Sequence, residues 1–379
     1  MKILHVVPSY KPAYIYGGPI ESVARMCEEL VRAGHTVEVF TTTANGAEEL
    51  KVAPGVMQIV DGVRVTYFKR ITKDPTHVSP VLWKKLRAEV KHYDVVHIHS
   101  WWNILVMVAV YICYRQKVKV VLSPRGMLSD YVFQAKNGFV KKGFHQVIGK
   151  RLLRTTYFHA TAPSEEAECR TLIRGWKGFT VPNIIWLPRL QLKPKQNDRF
   201  TILFLSRIHP KKGIEYLLKA IHLLGQDVCL KIAGSGEEAY VHQLQELVKV
   251  LGLEHAVEWL GWRDRMGKFK ELEGADLFAL VSHNENFANA VIESLHAGTP
   301  VLVSEGVGLS PYVKQEGLGW VTPLDELAIA KQLQHILDNR EMLERIHVEA
   351  PMKIEQSFSP GVLTEAYINC YQSVVGGLL

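Results

Sequence analysis

Short apolar segments rich in β-branched residues alternate with amphipathic segments along most of this 379-residue chain. The first apolar segment, 2–7, is followed by an amphipathic one, 20–33, which Gly34 ends where a helix C-terminus favours glycine. This alternation predicts parallel sheets covered by helices, an α/β fold. Further strands are predicted at 36–41, 63–68, 95–99, 118–123, 157–160, 200–205, 228–233, 257–260, 277–281 and 301–304, and later helices at 213–224, 237–251, 289–297, 325–339 and 359–375.

A proline-rich segment, 182–198, interrupts the alternation. Pro182, Pro188 and Pro194 lie in it, and its polar end, 193–198, has the composition of a linker. Because the alternation then restarts, we predict two Rossmann-like domains, 1–185 and 186–359, each with its own parallel sheet. Paired domains of this kind face a cleft between the carboxyl ends of their sheets, where ligands bind.

Composition and charge narrow the class of protein. A chain that is 47% hydrophobic and 22% charged is neither disordered nor fibrous. The net charge of +7 is uneven: residues 1–190 hold 27 Lys and Arg against 14 Asp and Glu, a balance of +13, and the remainder carries −6. The basic half is expected to attract anionic ligands or surfaces. No RNA-binding motif with aromatic residues is recognisable, so nucleic acid is not an expected partner.

Several features favour a cytoplasmic protein. Five widely spaced cysteines without a C-x-x-C pair favour a reducing compartment. The apolar start, 2–7, is too short for a signal peptide. The longest apolar run, 101–114, is shorter than the ~18 residues that cross a bilayer, and it is predicted as a buried core helix.

Gly17 and Gly18 stand between the first predicted strand and the first predicted helix. Glycines let backbone N–H groups approach an anion, and a helix N-terminus adds partial positive charge. A turn without a ligand explains two glycines equally well.

Arg207 and Lys212 lie in the loop after the first predicted strand of the second domain. The planar guanidinium of arginine can donate two parallel hydrogen bonds to phosphate oxygens, and the ammonium of lysine provides a compact positive charge. Two cations at the carboxyl edge of a sheet suit a diphosphate. A solvated basic loop is the alternative.

Glu285 and Glu293 flank a predicted change from loop to helix, eight positions apart. A fully helical segment would separate them by roughly 12 Å, whereas retaining hydrolases need carboxyl groups ~5–5.5 Å apart. Two separate carboxylates that accept hydrogen bonds from sugar hydroxyls therefore fit better than a nucleophile and an acid. The alternative is a surface carboxylate followed by one that favours a helix start.

These motifs, in this order, resemble the retaining glycosyltransferases of family 4, which have the GT-B fold. The resemblance spans nearly the whole chain and includes the segments 232–237, 259–261 and 297–301. It implies an acceptor-side domain at 1–185, with a helix at about 360–379 packed back on it. It also implies a domain at 186–359 that binds a nucleotide-sugar donor, such as a UDP- or GDP-sugar.

The resemblance implies roles for the matching residues. Arg207 and Lys212 would stabilise the leaving diphosphate, and Glu285 would contact the donor sugar, so these three form the expected catalytic set. Fixed cations in a closed site stabilise developing negative charge more in the transition state than in the ground state. No D-x-D occurs in the sequence, which fits a site that needs no metal or other cofactor. The implied donor-binding set is Gly17, Gly18, Arg207, Lys212, Gly234, Glu285, Phe287, Ala288, Asn289 and Glu293.

Two residues depart from the family pattern. Arg125 follows the predicted strand 118–123, where many members have histidine, and Ala288 stands where many have glycine. Because arginine cannot act as a base, we expect an electrostatic role for Arg125 toward a phosphate of the donor or the acceptor. His99 is the second acceptor-side candidate.

His97 and His99 face one side of a predicted strand, because side-chain direction repeats every two residues. A metal site is not expected, since no third ligand is apparent. A cleft-lining role for His99 and a purely structural role remain open.

Residues 139–154 mix Lys and Arg with apolar residues at helical spacing. Such a helix can lie on an anionic membrane surface, and a helix with a solvated basic face is the alternative. The resemblance favours peripheral membrane contact, because the family often uses lipid-linked acceptors at the inner membrane face.

We therefore predict a metal-independent retaining glycosyltransferase that moves a sugar from a nucleotide sugar to a glycan or lipid-linked acceptor, in polysaccharide, lipopolysaccharide or capsule-type biosynthesis. A catalytically silent nucleotide-sugar-binding partner protein is the first alternative, and a sugar-nucleotide epimerase is the second. Substrate choice is expected to depend on the loops 44–58 and 129–138.

Overall fold

The computed structural model describes residues 1–134, 138–191 and 197–379. Pro194 and its neighbours in the predicted linker, 193–196, lie outside these residues, as do positions 135–137 of one predicted specificity loop. The described chain forms two units. The first comprises Met1–Trp186 with Phe358–Leu379, and the second is Leu187–Ser357.

The first unit is built on an eight-stranded sheet with the order β10-β9-β8-β7-β1-β2-β6-β5. Its middle strands are buried along almost their whole length, as expected for parallel strands covered on both faces. A separate two-stranded sheet contains β3 and β4. The strands are β1 (Lys2–Val6), β2 (Thr36–Thr42), β3 (Ala44–Asn45), β4 (Glu48–Glu49), β5 (Met57–Val60), β6 (Val63–Phe68), β7 (Val95–His99), β8 (Val120–Ser123), β9 (Tyr157–Ala160) and β10 (Gly178–Thr180).

The edge strand β5 departs from the predicted parallel pattern, because it pairs antiparallel with β6. Asp61 and Gly62 join the two strands with φ angles of 48° and 84°. Two positive φ angles define the turn that a two-residue hairpin favours, and Asp-Gly is its usual sequence. This signal was present in the sequence, and the prediction overlooked it.

Helices cover the first sheet. A stretch of π-helix, His145–Gly149, joins α5 to α6, so residues 139–153 are continuously helical. The helices are α1 (Gly18–Arg32), α2 (Pro80–Glu89), α3 (Ile104–Arg115), α4 (Asp130–Gln134), α5 (Gly138–Phe144), α6 (Lys150–Leu153) and α7 (Pro163–Leu172).

The apolar run 101–114 corresponds mainly to α3, and the prediction of a buried core helix is only half right. Leu105 and Val110 lie on a face that packs into the core of the unit. Ile104, Tyr111 and Tyr114 lie on the opposite face and are 43%, 48% and 54% exposed. No helix in the described part of the chain is both long and apolar enough to cross a membrane.

The second unit contains a six-stranded parallel sheet with the order β13-β12-β11-β14-β15-β16. Its strands are β11 (Phe200–Leu205), β12 (Val228–Ala233), β13 (Val257–Gly261), β14 (Leu277–Leu280), β15 (Val301–Ser304) and β16 (Gly319–Thr322). Its helices are α8 (Ile214–Leu224), α9 (Glu238–Val250), α10 (Arg265–Gly274), α11 (Asn289–His296), α12 (Ser310–Glu316), α13 (Glu326–Asp338) and α14 (Arg340–Phe358).

The last helix, α15 (Pro360–Gly376), belongs to the first unit and packs against α1. Tyr367 and Tyr371 are its largest buried side chains. The Tyr371 hydroxyl lies 2.7 Å from Nδ1 of His97, in the middle of the first sheet. The end of the chain therefore supplies a hydrogen-bond partner to the core of the first unit.

We expect Tyr371→Phe to lower the free energy of unfolding by about 1–3 kcal/mol, because it leaves a buried nitrogen of His97 without a partner. Urea unfolding of the full chain measures the loss. Tyr114→Phe is the matched control, since Tyr114 is exposed on α3. Equal stability of the two variants would contradict the expectation.

Candidate active site

The carboxyl edge of the second sheet carries the residues predicted to bind the donor in that unit. The chain leaves β11 toward β12 on one side and later returns to β14 on the other, which makes the β11–β14 junction a topological switch point. Ligands of open α/β sheets bind at such points, beyond the carboxyl ends of the strands. Arg207 and Lys212 follow β11, Gly234 follows β12, and Glu285 follows β14.

The loop after β11 holds Arg207 on its exposed side, and the guanidinium has no hydrogen-bond or ion-pair partner within the described ranges. Backbone hydrogen bonds tie this loop to the next one: Ile208 N donates to Ser235 O at 2.8 Å. Gly234 permits that approach, since a Cβ there would lie 1.9 Å from Ser206 O and its φ is 148°. Gly234 thus holds the Arg207 loop in place through the backbone.

Lys212 and Glu285 form a partly buried ion pair. Lys212 is only 9% exposed, and its Nζ donates to Glu285 Oε1. The backbone reinforces the pair, because His283 N donates to Lys211 O at 2.9 Å. Two residues 73 positions apart, each predicted separately, therefore share one site.

A third loop, after β15, fixes the backbone on either side of Glu285. Glu285 N donates to Gly306 O at 2.8 Å, and Gly308 N donates to Glu285 O at 2.8 Å. A Cβ on Gly308 would lie 2.0 Å from Asn286 O, so only glycine allows this contact. The sequence analysis missed this loop, although its Gly-x-Gly pattern after a strand was a usable signal.

The N-terminus of α11 completes the edge. Phe287 is buried, Ala288 precedes the helix in a left-handed conformation (φ 68°, ψ 73°), and Asn289 is its first residue. A non-glycine residue rarely adopts this conformation. A glycine would adopt this conformation without strain, which agrees with the glycine that the resemblance led us to expect at the position of Ala288.

Glu293 lies inside α11 and Glu285 in the loop before it, as their spacing predicted. Glu293 is 4% exposed, and one of its carboxylate oxygens accepts from Lys268 Nζ at 2.5 Å. The two carboxylates thus contact different lysines. Lys268 on α10 was not predicted, because nothing in its local sequence distinguishes it from a surface lysine.

The first sheet has an equivalent switch point, since β1 lies between β2 and β7. Gly17, with a φ of 73°, precedes α1, and Gly18 is the first residue of that helix. His99 ends β7, and Arg125 follows β8. The structure therefore places His99 and Arg125 at the carboxyl ends of neighbouring strands, and Gly17 and Gly18 at the start of the helix that follows β1.

Arg125 is held by three neutral side chains. Its Nη1 donates to Ser22 Oγ and to Asn183 Oδ1, each at 3.1 Å. Nε and Nη2 both point to His99 Nδ1, at 3.4 Å. The φ of Arg125 is 53°, a left-handed conformation that is strained for a residue with a side chain.

A chain of hydrogen bonds runs through the buried histidines behind this edge. Because Arg125 can only donate, we assign a proton to His99 Nε2, which then donates to His5 Nδ1 at 3.0 Å. Nε2 of His5 has no partner in the described part of the chain. In a second chain of hydrogen bonds, Ser123 Oγ lies between two histidines, 2.6 Å from His97 Nε2 and 2.5 Å from His159 Nδ1.

The expectation that His97 and His99 lack a third possible metal ligand is wrong. His5 joins them, and one nitrogen from each of the three lies within 4.8 Å of the others. Strand pairing places β1 beside β7 and so brings His5 opposite His97, a contact that linear spacing does not reveal. Hydrogen bonds already use both ring nitrogens of His97 and His99 and Nδ1 of His5, and the Arg125 cation opposes a further positive charge, so the chemistry fits a neutral network better than a metal.

Burial keeps these histidines uncharged. Burial and the Arg125 charge lower the pKa of His5 to about 3. Burial also lowers the pKa of His159 to about 3, although its hydrogen bond to Val181 O opposes the shift. The pKa values of His97 and His99 lie well below 6.5 for the same main reason.

Two family models match the chain. "Glycosyltransferase Family 4" matches residues 16–185, and "Glycosyl transferases group 1" matches residues 190–351. This chain belongs to the family 4 type of glycosyltransferases. The matched ranges hold Arg125 in one half and the Arg207, Lys212, Glu285 and Glu293 site in the other.

Full-length relatives support the same assignment. An uncharacterized glycosyltransferase of Methanocaldococcus jannaschii is 28% identical over 98% of both chains. A D-inositol 3-phosphate glycosyltransferase of Kineococcus radiotolerans is 25% identical over 95% of this chain and 91% of its own. A lipopolysaccharide core biosynthesis glycosyltransferase of Rhizobium meliloti, LpsD, is 26% identical over 46% of this chain and 50% of its own.

Solved structures show that the fold is GT-B. Sucrose-phosphate synthase of Thermosynechococcus elongatus matches with a TM-score of 0.77 and 18% identity over the whole of both chains. Anabaena HepE in complex with UDP-glucose matches with a TM-score of 0.73 and 20% identity, covering 98% of this chain and 100% of its own. The predicted family and fold are therefore confirmed.

We expect the first unit of this glycosyltransferase to lose stability in acid. Unfolded histidines titrate near pH 6.5, whereas His5 and His159 titrate at about 3 in the folded state. Between these values the unfolded state binds more protons, so each histidine lowers the free energy of unfolding by up to about 1.4 kcal/mol per pH unit as the pH falls. Hydrogen exchange of β7 amides between pH 7 and pH 5 measures the slope.

His5→Asn should remove the contribution of one proton, up to about 1.4 kcal/mol per pH unit, from the slope of the free energy of unfolding against pH. This change in slope is expected whatever the substitution does to stability at pH 7. His92→Gln is the matched control, because His92 is exposed in the same unit and should leave the slope unchanged. A flat profile in the natural sequence, or equal slopes in the two variants, would contradict the assignment of buried neutral histidines.

Proposed function

We propose that this glycosyltransferase moves a sugar from a nucleoside diphosphate sugar to a glycan or lipid-linked acceptor, with retention at the anomeric carbon and without a metal ion. The observation that carries the proposal is the Lys212–Glu285 ion pair at the switch point of the second sheet. Arg207 lies in the same loop as Lys212 and has no partner among the described residues. The two cations suit the diphosphate, and the carboxylate suits the sugar.

The two carboxylate oxygens of Glu285 have different surroundings, because only Oε1 contacts Lys212. Oε1 accepts from Lys212, and within the described residues Oε2 accepts no hydrogen bond. An ionised carboxylate has lone pairs on both oxygens. Oε2 can therefore accept from a hydroxyl of the donor sugar while Oε1 keeps the Lys212 ammonium in position.

In the proposed reaction, the bond between the anomeric carbon and the β-phosphate oxygen breaks, and both bonding electrons go to the diphosphate. The acceptor oxygen bonds to the anomeric carbon on the same face, and its proton passes to the departing phosphate oxygen. Arg207 and Lys212 stabilise the charge that develops on the phosphate. Glu285 and Glu293 contact different lysines, which fits two separate carboxylates that accept from sugar hydroxyls better than a nucleophile and an acid acting as a pair.

The relatives suggest classes of substrate. HepE was solved with UDP-glucose, which supports a UDP-sugar as the first donor to test here. Relatives that act on D-inositol 3-phosphate or in lipopolysaccharide core biosynthesis support a hydroxylated acceptor within glycan assembly. Because Arg207 and Lys212 supply two positive charges, we propose that no metal is needed to hold the diphosphate.

Arg207→Ala and Glu285→Gln should each lower kcat/KM for sugar transfer by ~10²-fold, because each removes a charge-assisted contact to the donor. A thermal-shift screen of nucleoside diphosphates and their sugars first identifies the donor, which stabilises the chain in proportion to its binding. Turnover is then followed as release of the nucleoside diphosphate in the presence of lipid and glycan acceptors.

Arg340→Ala and Glu344→Gln are matched controls, because both residues are exposed on α14 of the same unit and lie outside the proposed site. EDTA should leave the rate unchanged, and the anomeric proton of the product should show the configuration of the donor. Donor binding without turnover would indicate a silent partner protein, and altered free sugar without an acceptor would indicate an epimerase. Either result would contradict the proposal.

We also propose that α5 and α6 contact an anionic membrane at its cytoplasmic face. Phe139, Val140 and Val147 are 90%, 68% and 66% exposed, although they are apolar. Arg151 and Arg154 are exposed on the same helical stretch. Apolar side chains that insert beside cations are typical of helices at anionic lipid surfaces.

A cationic groove supports this surface. It has a volume of about 400 Å³ and lies near the start of β9 and β10. Arg154 borders it and thereby joins it to the helical stretch, and Lys119, Arg174 and Lys177 are its other cations.

Phe139→Glu should reduce sedimentation of the protein with vesicles of equal parts phosphatidylglycerol and phosphatidylcholine by ~10-fold, because it removes an apolar contact and adds a repelled charge. Val250→Glu is the matched control, since Val250 is 80% exposed on α9 of the other unit. Pure phosphatidylcholine vesicles should bind the natural sequence weakly. Equal sedimentation of the two variants would contradict the membrane assignment.

A further inference from the structure

We propose that Arg125 binds an anionic group of the acceptor, a phosphate or a carboxylate, at the carboxyl edge of the first sheet. The inference rests on the proposed function, since it names a property of the acceptor that the enzyme selects. It concerns one of the two residues at which this chain departs from the family pattern.

The first argument is that Arg125 carries a charge without a counter-charge. Its hydrogen-bond partners are a serine hydroxyl, an asparagine oxygen and a neutral histidine. No carboxylate lies within 4.0 Å of it in the described ranges. Glu165 is the carboxylate that interacts electrostatically with the Arg125 guanidinium, and it does so without direct contact. Its carboxylate accepts from the backbone N–H groups of Gly126, at 2.7 Å, and Thr161, at 2.8 Å.

The second argument is that the guanidinium retains unused donor capacity. Both N–H groups of Nη1 are used, on Ser22 and Asn183. Nε and one N–H of Nη2 share a single acceptor, His99 Nδ1, at the long distance of 3.4 Å. The second N–H of Nη2 has no acceptor in the described part of the chain. A phosphate or carboxylate oxygen would satisfy it and neutralise the charge.

The third argument is the position of the residue. Arg125 follows β8, beside the switch point between β1 and β7, where ligands of such sheets bind. Its contact with Ser22 places it beside α1, whose N-terminus adds partial positive charge. Its backbone is held in a left-handed conformation, and Gly126 follows with a φ of 74°. Strained residues of this kind are concentrated at functional sites.

A purely structural role for Arg125 does not explain why the residue at this position is positively charged. Arg125 does link α1, the end of β7 and the segment after β10. A neutral side chain could make the same contacts to Ser22 and Asn183, and partly burying an uncompensated cation is unfavourable. The surrounding histidines provide no compensation, because an imidazole is either neutral or positively charged.

The donor is the less favoured source of the anion. In the proposed function, its diphosphate lies against Arg207 and Lys212 of the second unit, which supply two positive charges. Arg125 lies in the unit whose family model is matched by residues 16–185, the half expected to bind the acceptor. An acidic acceptor therefore explains a third cation better than the donor does.

Binding measurements test this inference without requiring turnover. Calorimetry with saturating UDP, which fills the donor site, compares glucose 6-phosphate, glucuronate and glucose as probes. We expect each anionic probe to bind about 10- to 100-fold more tightly than glucose, as for one or two charge-assisted hydrogen bonds. Arg125→Gln should reduce that ratio to near one and leave the Kd of UDP unchanged.

Two further variants separate charge from structure. Arg115→Gln is the matched control, because Arg115 is exposed at the end of α3, and it should keep the full ratio. Arg125→Lys keeps the positive charge but loses the planar guanidinium with its parallel N–H donors. Its affinity ratio of anionic probe to glucose should therefore lie between those of the natural sequence and Arg125→Gln. If the Gln variant does not fold, a ratio for the Lys variant equal to that of the natural sequence counts against the proposal.

Three outcomes would overturn the proposal: no preference for anionic probes in the natural sequence, a preference unchanged in Arg125→Gln, or an equal loss of UDP affinity. The last would assign the anion to the donor. Failure of the proposed function looks different: no nucleotide sugar supports transfer, yet the preference for anionic probes still depends on Arg125.

Discussion

Parallel pairing of strands is the constraint on which both units depend. It sends the carboxyl ends of all the parallel strands to one edge of a sheet, so loops far apart in sequence meet there. In the second unit this edge joins Lys212 after β11 to Glu285 after β14. In the first unit it joins Arg125 after β8 to His99 at the end of β7 and Ser22 on α1.

The cations at the two sheet edges differ in their partners. In the second unit, Lys212 and Lys268 each pair with a glutamate, and Arg207 stays exposed and unpaired among the described residues. In the first unit, Arg125 is surrounded by neutral partners, and burial keeps the histidines behind it uncharged. The glutamates hold the two lysines in fixed positions, whereas Arg207 and Arg125 have no carboxylate partner among the described residues.

Local patterns predicted much of the fold, because apolar periodicity depends on residues close in sequence. The strands at 63–68, 95–99, 157–160, 200–205, 228–233 and 301–304 have the predicted bounds. The prediction missed β5, whose outward side chains are exposed, and β16, which follows the short helix α12. It also missed α14, where Pro351 within the helix weakened the helical signal.

The sequence by itself determined the order of most strands and helices, the family, and the identity of the charged residues that follow β11 and β14. It could not show that Lys212 and Glu285 form one pair, that Lys268 contacts Glu293, or that His5 joins His97 and His99. Those contacts connect residues on different strands and helices. Only strand order and register bring them together, and both are set by packing of the whole sheet.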